Sequence, residues 1–342
     1  MSESERRRLT FVLLGTSLPV AIAVAIALGS VVLPLRSVAS SIASGLGMPA
    51  FAEPLSPAGE AILWSVRLPR VLLAALVGGG LAVVGAALQA VFRNPMADSG
   101  LLGVGSGAAF GAVLAVRLGW STAAFLALPI AAFAGAMAAI LLVYGLAHAT
   151  GRPTLHGLLL TGLAVSSLAS AGTSVMLVAT EEFRVKAVLF WLAGGLEARS
   201  WTHVQLGAVF ILTGFALLAA LGRPLDLLSL GEVEAASLGL PVHATRLAIF
   251  ALASLIAGAA TSVAGAVPFV GLMAPHALRP HVGPLSRHLL PAAFLGGALL
   301  VVVADLGART LSDRLDLPLG SLTAFVGAPY FILALRANEG RT

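Results

Sequence analysis

Arginines, hydroxyls and histidines are the side chains of this 342-residue chain whose types and spacing could do chemistry. Arg67 and Arg70 stand at the start of an apolar run, where they read either as snorkelling anchors at a membrane edge or as contacts for a docking partner. Arg309 follows Asp305 at i+4 with the acid first, the favourable order for a helical ion pair, so the two can neutralise each other at a helix end. Ser166, Ser170 and Ser174 form one stripe, with Thr173 beside it. Hydroxyls at this spacing either line a water-filled path or bond back to the helix and across to neighbours. His276 and His281 are five apart and flank Pro280, which does not suit same-face metal ligation, and no metal site is expected in the chain.

Other chemistries are excluded by composition. With no cysteine there is no disulfide, thiolate metal site or thiol nucleophile. The single lysine, Lys186, follows Val185 rather than glycine, so no GxxxxGK[ST] phosphate loop exists and any ATP must bind elsewhere. Gly103, Gly105 and Gly107 lack the partner glycine at 108 that a GxGxxG motif needs. There is no HExxH, and no Ser/His/Asp set can be assembled at mid-membrane positions. The chain therefore reads as a non-enzyme.

Hydrophobic residues make up 58% of the sequence, charged residues 10%, and mean hydropathy is +1.00, against roughly 25% charged residues in soluble domains. A membrane crossing takes about 20 apolar residues, and apolar runs recur from Phe11 to Leu335 with only short polar breaks. Residues 1–342 thus read as a single membrane domain. Helices are expected near Phe11–Leu35, Arg70–Phe92, Ser99–Leu118, Ala123–Ala147, Leu155–Val178, His203–Leu221, Thr245–Val267, Phe269–His281, Leu289–Leu306 and Leu319–Leu335. The segment after Pro268 is short and bracketed by Pro280, which predicts a broken or tilted helix. Arg6, Arg7 and Arg8 precede a first apolar run too long for a cleaved signal, so both termini are expected in the cytoplasm. The net charge of +5 comes from basic residues at the ends of apolar runs, which favours lipid anchoring over nucleic acid. Ion-coupled transport normally needs mid-membrane ionisable residues. Asp and Glu are missing from the centre of every expected helix.

Small residues at four-residue spacing, Gly103, Gly107 and Gly111, and Gly78, Ala82, Ala86 and Ala90, mark faces for close helix packing. The run Gly78–Val84 echoes Gly296–Val302, a pattern that inverted repeats produce. Between the sixth and seventh helices, the polar segment 223–243 contains Ser229, Leu230, Gly231 and Glu232 at capping-box spacing. A short helix over 230–238, through Ala235 to Leu238, is expected to follow, with Gly239 as its left-handed cap and Pro241 preventing continuation. A proline at 232 should then break its first turn. Such a capped, half-apolar helix suits docking in a partner's groove, or serves as an interfacial connector.

Several motifs run in order along the chain: Arg67-Leu-Pro-Arg70, Phe92-Arg-Asn-Pro-Met-Ala-Asp98, Gly100-Leu-Leu-Gly-Val104, Leu228-Ser-Leu-Gly-Glu232, Pro268-Phe-Val-Gly-Leu272 with Pro275-His276, Ala304-Asp-Leu306, and Leu317-Pro-Leu-Gly320 ending in Gly327-Ala-Pro329. Together they resemble the FecCD family, permeases of binding-protein-dependent ABC importers for iron siderophores, haem and cobalamin. The resemblance implies an all-α type II importer fold of about ten transmembrane helices, paired with a second copy in a bacterial inner membrane. It implies two separate ATPase subunits that hold ATP and Mg²⁺, and a periplasmic or lipid-anchored binding protein. Carried over by position, Arg67, Arg70 and Arg309 would dock the binding protein. Ser229, Leu230, Gly231, Glu232, Ala235, Leu238 and Gly239 would couple to the ATPases, and Asn94, Met96, Leu155 and His156 would close the cytoplasmic gate. Leu155 and His156 depart from the small hydroxyl residues that can stand there in the family.

Overall fold

The computed structural model describes the chain apart from residues 1, 30, 121–123, 125, 150–154, 181, 312–316 and 340–342, and apart from the side chains of 149, 155, 156, 182–184, 186, 187 and 334–339. Every regular element among the described residues is helical. Helix α1 (Glu3–Ala27) begins at a reciprocal capping box: the Glu5 N–H donates to Ser2 Oγ at 3.2 Å and the Ser2 N–H to the Glu5 carboxylate at 2.7 Å. Helix α2 (Leu35–Gly45) follows, then α3 (Pro57–Phe92), whose stretch Ile62–Arg67 is wound as a π-helix. A 3₁₀ turn at Ser99–Leu102 leads into α4 (Val104–Arg117), α5 (Ala127–Ala149), α6 (Leu155–Val178), α7 (Glu182–Leu192) and α8 (Trp201–Ala220). Short helices α9 (Gly222–Leu230) and α10 (Glu232–Ser237) precede α11 (Val242–Ala264), α12 (Val270–Val282), α13 (Ser286–Thr310) and α14 (Leu319–Glu339).

Seven of these, α1, α3, α5, α6, α8, α11 and α13, are long and apolar enough to cross a membrane, and α4 and the apolar part of α14 are shorter. Together with α12 they correspond to the expected segments. Helices α2 and α7 were not anticipated, and the expected helix from Ser99 is interrupted at Gly103, whose φ of 73° ends the 3₁₀ turn. Gly103 therefore serves a left-handed turn rather than a packing stripe. Helix α12 is continuous, not broken, although Pro275 and Pro280 lie inside it. Pro275 has no N–H for the Gly271 carbonyl, and that carbonyl instead accepts from Gln89 Nε2 at 3.1 Å. A neighbouring side chain thus satisfies the group that proline frees, as apolar surroundings require.

Helix α3 is the centre of the bundle: 83% of its most apolar window is buried, against 22% for α6, and it packs on α13, α11, α8 and α12. The small faces explain how. A Cβ at Gly78 would collide with the Gly297 carbonyl, and one at Gly297 with the Gly78 carbonyl. The two echoing runs therefore face each other across one helix crossing. Gly107 and Gly135 make the same kind of contact between α4 and α5, where packing must hold helices together without hydrophobic drive from lipid.

Candidate functional site

The three expected arginines converge beside the C-terminal end of α1, Arg67 and Arg70 from the end of the π-helical stretch of α3 and just beyond it, and Arg309 from the last turn of α13. Arg67 is 4% exposed. It donates from Nη1 to the carbonyls of Ile26 at 2.6 Å and Ala27 at 2.7 Å, and from Nη2 to that of Val31. It closes the C-terminal end of α1, where carbonyls lack helical partners and the dipole favours a cation. Arg70 Nε lies 2.9 Å from Asp305 Oδ1, and Arg309 Nε lies 3.1 Å from Asp305 Oδ2. Arg309 also donates to the carbonyls of Ala25 at 2.9 Å and Leu28 at 3.3 Å. An outward grip by Arg67 would require it to leave three carbonyls, whereas the Arg70 and Arg309 side chains keep 12% and 10% of their surface open.

At the other end of α13, the Ser286 N–H donates to Asp226 Oδ1 of α9 at 2.7 Å. From Ser286 to Asp305 the helix rises roughly 28 Å, close to the roughly 30 Å hydrocarbon core of a bilayer. The arginine cluster and the segment 223–243 therefore lie at opposite ends of the bundle.

Within that segment the expected capping box is corrected. Ser229 belongs to the last turn of α9 and its hydroxyl donates back to the Asp226 carbonyl at 2.6 Å. Gly231, at φ 142° and ψ 158°, separates the helices, so α10 starts at Glu232. That conformation is open to glycine alone, which is why spacing from Ser229 misled. Glu232 instead forms an ion pair with Arg246, whose side chain is 6% exposed. The C-terminal expectation agrees with the structure. Gly239, at φ 83°, donates to the Ala236 carbonyl and Leu240 to the Ala235 carbonyl, both at 3.0 Å, the two bonds of a Schellman cap. Leu230, Val233 and Leu238 are exposed while Ala235 is buried, so the segment presents an apolar face outside the long helices.

Asn94 and Met96 are exposed just beyond α3, and Asn94 Oδ1 accepts from the Met96 N–H at 2.9 Å. Beside them, burial pushes the Asp98 carboxyl upward against two hydrogen bonds from Ser99. Leu155 and His156 open α6, but their side chains lie outside the described residues. The serine stripe divides. Ser166 turns toward Gly103, while Ser170 and Ser174 are exposed, and Ser174 Oγ donates to the Ser170 carbonyl at 3.1 Å. A spacing of four drifts about 40° around a helix at each step, which carries Ser166 off the open face. Ser167 takes its place there, with Leu160, Leu163 and Leu168.

Residues 17–337 match the FecCD transport family. The chain belongs to the FecCD family. It is 40% identical over 308 residues to the cobalamin import system permease protein BtuC of Halobacterium salinarum, covering 88% of this chain and 82% of that one. It is 39% identical over 285 residues to the hemin transport system permease protein HmuU of Yersinia pestis, covering 82% and 85%. A solved structure of an inward-facing ABC transporter assigned to the metal-chelate type superposes with a TM-score of 0.84 at 30% identity, over 96% of this chain and 99% of that one. This FecCD protein is thus the integral membrane permease of an ABC importer, and it is not itself an enzyme.

Sequence reasoning missed several residues that hold the FecCD permease's segments in place. Arg279 Nη2 donates to Gln89 Oε1 at 3.1 Å, completing the bridge from α3 to α12, and a glutamine in so apolar a run was its one visible signal. Arg93, just beyond the end of α3, reaches the space beside Gly231, between α9 and α10. The corrected helix start also reverses the effect expected of proline. At position 232 proline would occupy the first helical position, where its missing N–H is tolerated, and the ψ of Gly231 suits a residue before proline. Ala235→Pro would instead remove the 3.0 Å bond from the Ala235 N–H to the Gly231 carbonyl, costing about 3 kcal/mol. In hydrogen exchange, Ala235→Pro is expected to deprotect residues 236–240 and Glu232→Pro to leave them protected. The reverse order would return the helix start to Leu230.

Proposed function

We propose that two copies of this permease pair in the cytoplasmic (inner) membrane of a bacterium and import an iron chelate, a siderophore complex or haem, along the path between them. Ten crossings would put both termini in the cytoplasm. Two separate ATPase subunits would hold ATP and Mg²⁺, and a periplasmic or lipid-anchored binding protein would deliver the cargo. The observation that carries this reading is the opposite placement, along α13, of a cationic cluster and an exposed apolar helix segment. In this reading Arg70 and Arg309, with Arg67 bracing them, meet carboxylates of the binding protein. That contact should weaken as salt rises. Leu230, Val233 and Leu238 seat in the ATPases, Asn94 and Met96 border the gate with Leu155 and His156, and Ser170 and Ser174 face the path.

The open faces of α6 and α14, which carry Leu163, Leu168, Phe325 and Ile332, support pairing with lipid or a second copy. Cobalamin is the second reading, favoured by the 40% identity to a cobalamin permease. The test is uptake by proteoliposomes holding the permease, its ATPase and its binding protein, given a ferric siderophore, haem or cobalamin. ATP-dependent uptake of an iron chelate is expected. Uptake of cobalamin alone would transfer the assignment to the second reading.

A further inference from the structure

At the α10 end of the molecule, α5 and α11 bring two imidazoles and a phenol together. His148 and His243 face each other through their Nε2 atoms at 3.1 Å, and Tyr144 Oη lies 3.3 Å from the same His243 nitrogen. Tyr144 and His148 are one helical turn apart, with ring centroids separated by 4.3 Å. His148 Nδ1 lies 3.2 Å from the Tyr144 carbonyl oxygen. A carbonyl only accepts, so Nδ1 carries the proton and Nε2 offers a lone pair. His243 Nε2 then has two arrangements open to it, because the Tyr144 hydroxyl can accept or donate. If it donates to His148 it cannot accept the Tyr144 proton, and if it accepts that proton two lone pairs oppose each other at 3.1 Å.

We propose that His148 and His243 form a binding site for a divalent cation of the Zn²⁺ class, with water completing the coordination and the Tyr144 hydroxyl released from His243 Nε2 when the ion binds. A cation between the two nitrogens turns the opposed lone pairs into ligands. Zn–N bonds of about 2.0–2.1 Å in a tetrahedron set neighbouring ligand atoms about 3.3–3.4 Å apart, a small adjustment from the 3.1 Å seen. The backbone carbonyl on His148 Nδ1 is the outer support that metal-bound imidazoles usually have. Imidazole donors suit Zn²⁺, Cu²⁺ or Ni²⁺ rather than Mg²⁺ or Ca²⁺. Both histidines are exposed, so an ion can enter from solvent. Among the described residues no group of three or more His, Cys, Asp or Glu converges, so the site is suited to a reversible ion. Binding would tie the end of α5 to the start of α11, four residues beyond the Gly239 cap of α10, and stiffen the joint that carries that helix. The inference rests on this chain alone and stands whichever cargo is imported.

The experiment is titration of the full-length, tag-free permease in lipid nanodiscs with ZnCl₂ against a competing Zn²⁺ indicator, after chelator treatment. One ion per chain is expected at the tightest site. His148→Gln or His243→Gln should weaken it by about tenfold or more, and the double variant should lose it, whereas Tyr144→Phe should leave binding as tight or tighter. Zn²⁺ should also raise the melting temperature of the wild type and not of the double variant. Should the variants fail to insert, wild-type protein still decides: Zn²⁺ should protect His148 and His243 from diethyl pyrocarbonate, read by mass spectrometry. Binding in the double variant as tight as in the wild type, or unprotected histidines at saturating Zn²⁺, would overturn the site.

Discussion

Asp305→Ala is expected to lower the stability of the permease by about 3–5 kcal/mol. Asp305 is 1% exposed and lies within 3.1 Å of two guanidinium nitrogens, one from Arg70 and one from Arg309. Removing it leaves two cations facing each other at the mouth of the bundle without a counter-charge. The cost comes mainly from the orphaned charges rather than from the lost attraction, because well-packed apolar groups can replace a buried ion pair at little net cost. The residual exposure of the two arginines lets water reach them, which points to the lower end of the range. Two further variants separate the causes. Asp305→Asn should cost less, since it keeps an acceptor, and Arg70→Met added to Asp305→Ala should recover part of the loss. Unfolding in mixed detergent–SDS micelles measures all three. A loss below about 1 kcal/mol for Asp305→Ala would mean that the cluster behaves as an ordinary surface pair.

Gly78→Val is expected to cost about 3 kcal/mol and to reduce the amount of inserted, folded permease. The atom met by a new Cβ is the Gly297 carbonyl oxygen, a backbone atom of α13. It cannot rotate aside as a side chain would, so the two helices must separate over their whole crossing. Separation also lengthens the contacts of Ala82 with Gly297 and of Val301 with Gly78, removing the dispersion that holds helices together in lipid. Gly145→Ala in α5 is the control, because nothing lies within 4 Å of a Cβ there. That change should be neutral or stabilising by about 0.5–1 kcal/mol. Equal effects at the two positions in the same unfolding assay would show that the α3–α13 crossing is not tightly packed.

The two substitutions sit on opposite sides of what could be read in advance. Gly78 stood out as one of a four-residue run of small side chains, so a packing face was expected there, although its partner was unknown. The pairing of Arg309 with Asp305 was also visible, because both lie on one helix. Arg70 was not assigned to Asp305, since the two are 235 residues apart and no local pattern connects them. Ser229 illustrates the opposite error. A capping motif is a statement about local propensity, and the backbone reversal at Gly231 overrode it.

By itself the sequence determined that the chain spans a membrane as a helical bundle, because burying backbone in lipid leaves helices as the solution for long apolar runs. It also determined the Schellman cap at Gly239, where glycine is needed for the left-handed residue, and the motifs that mark the FecCD family. Only the tertiary structure decided what the polar residues do. Arg67 became the cap of α1, Gln89 became the partner of a carbonyl freed by Pro275, and His148 met His243, because each partner is supplied by a distant helix. Hydropathy is written residue by residue along the chain. A hydrogen-bond partner 182 residues away exists only once packing has brought two helices side by side.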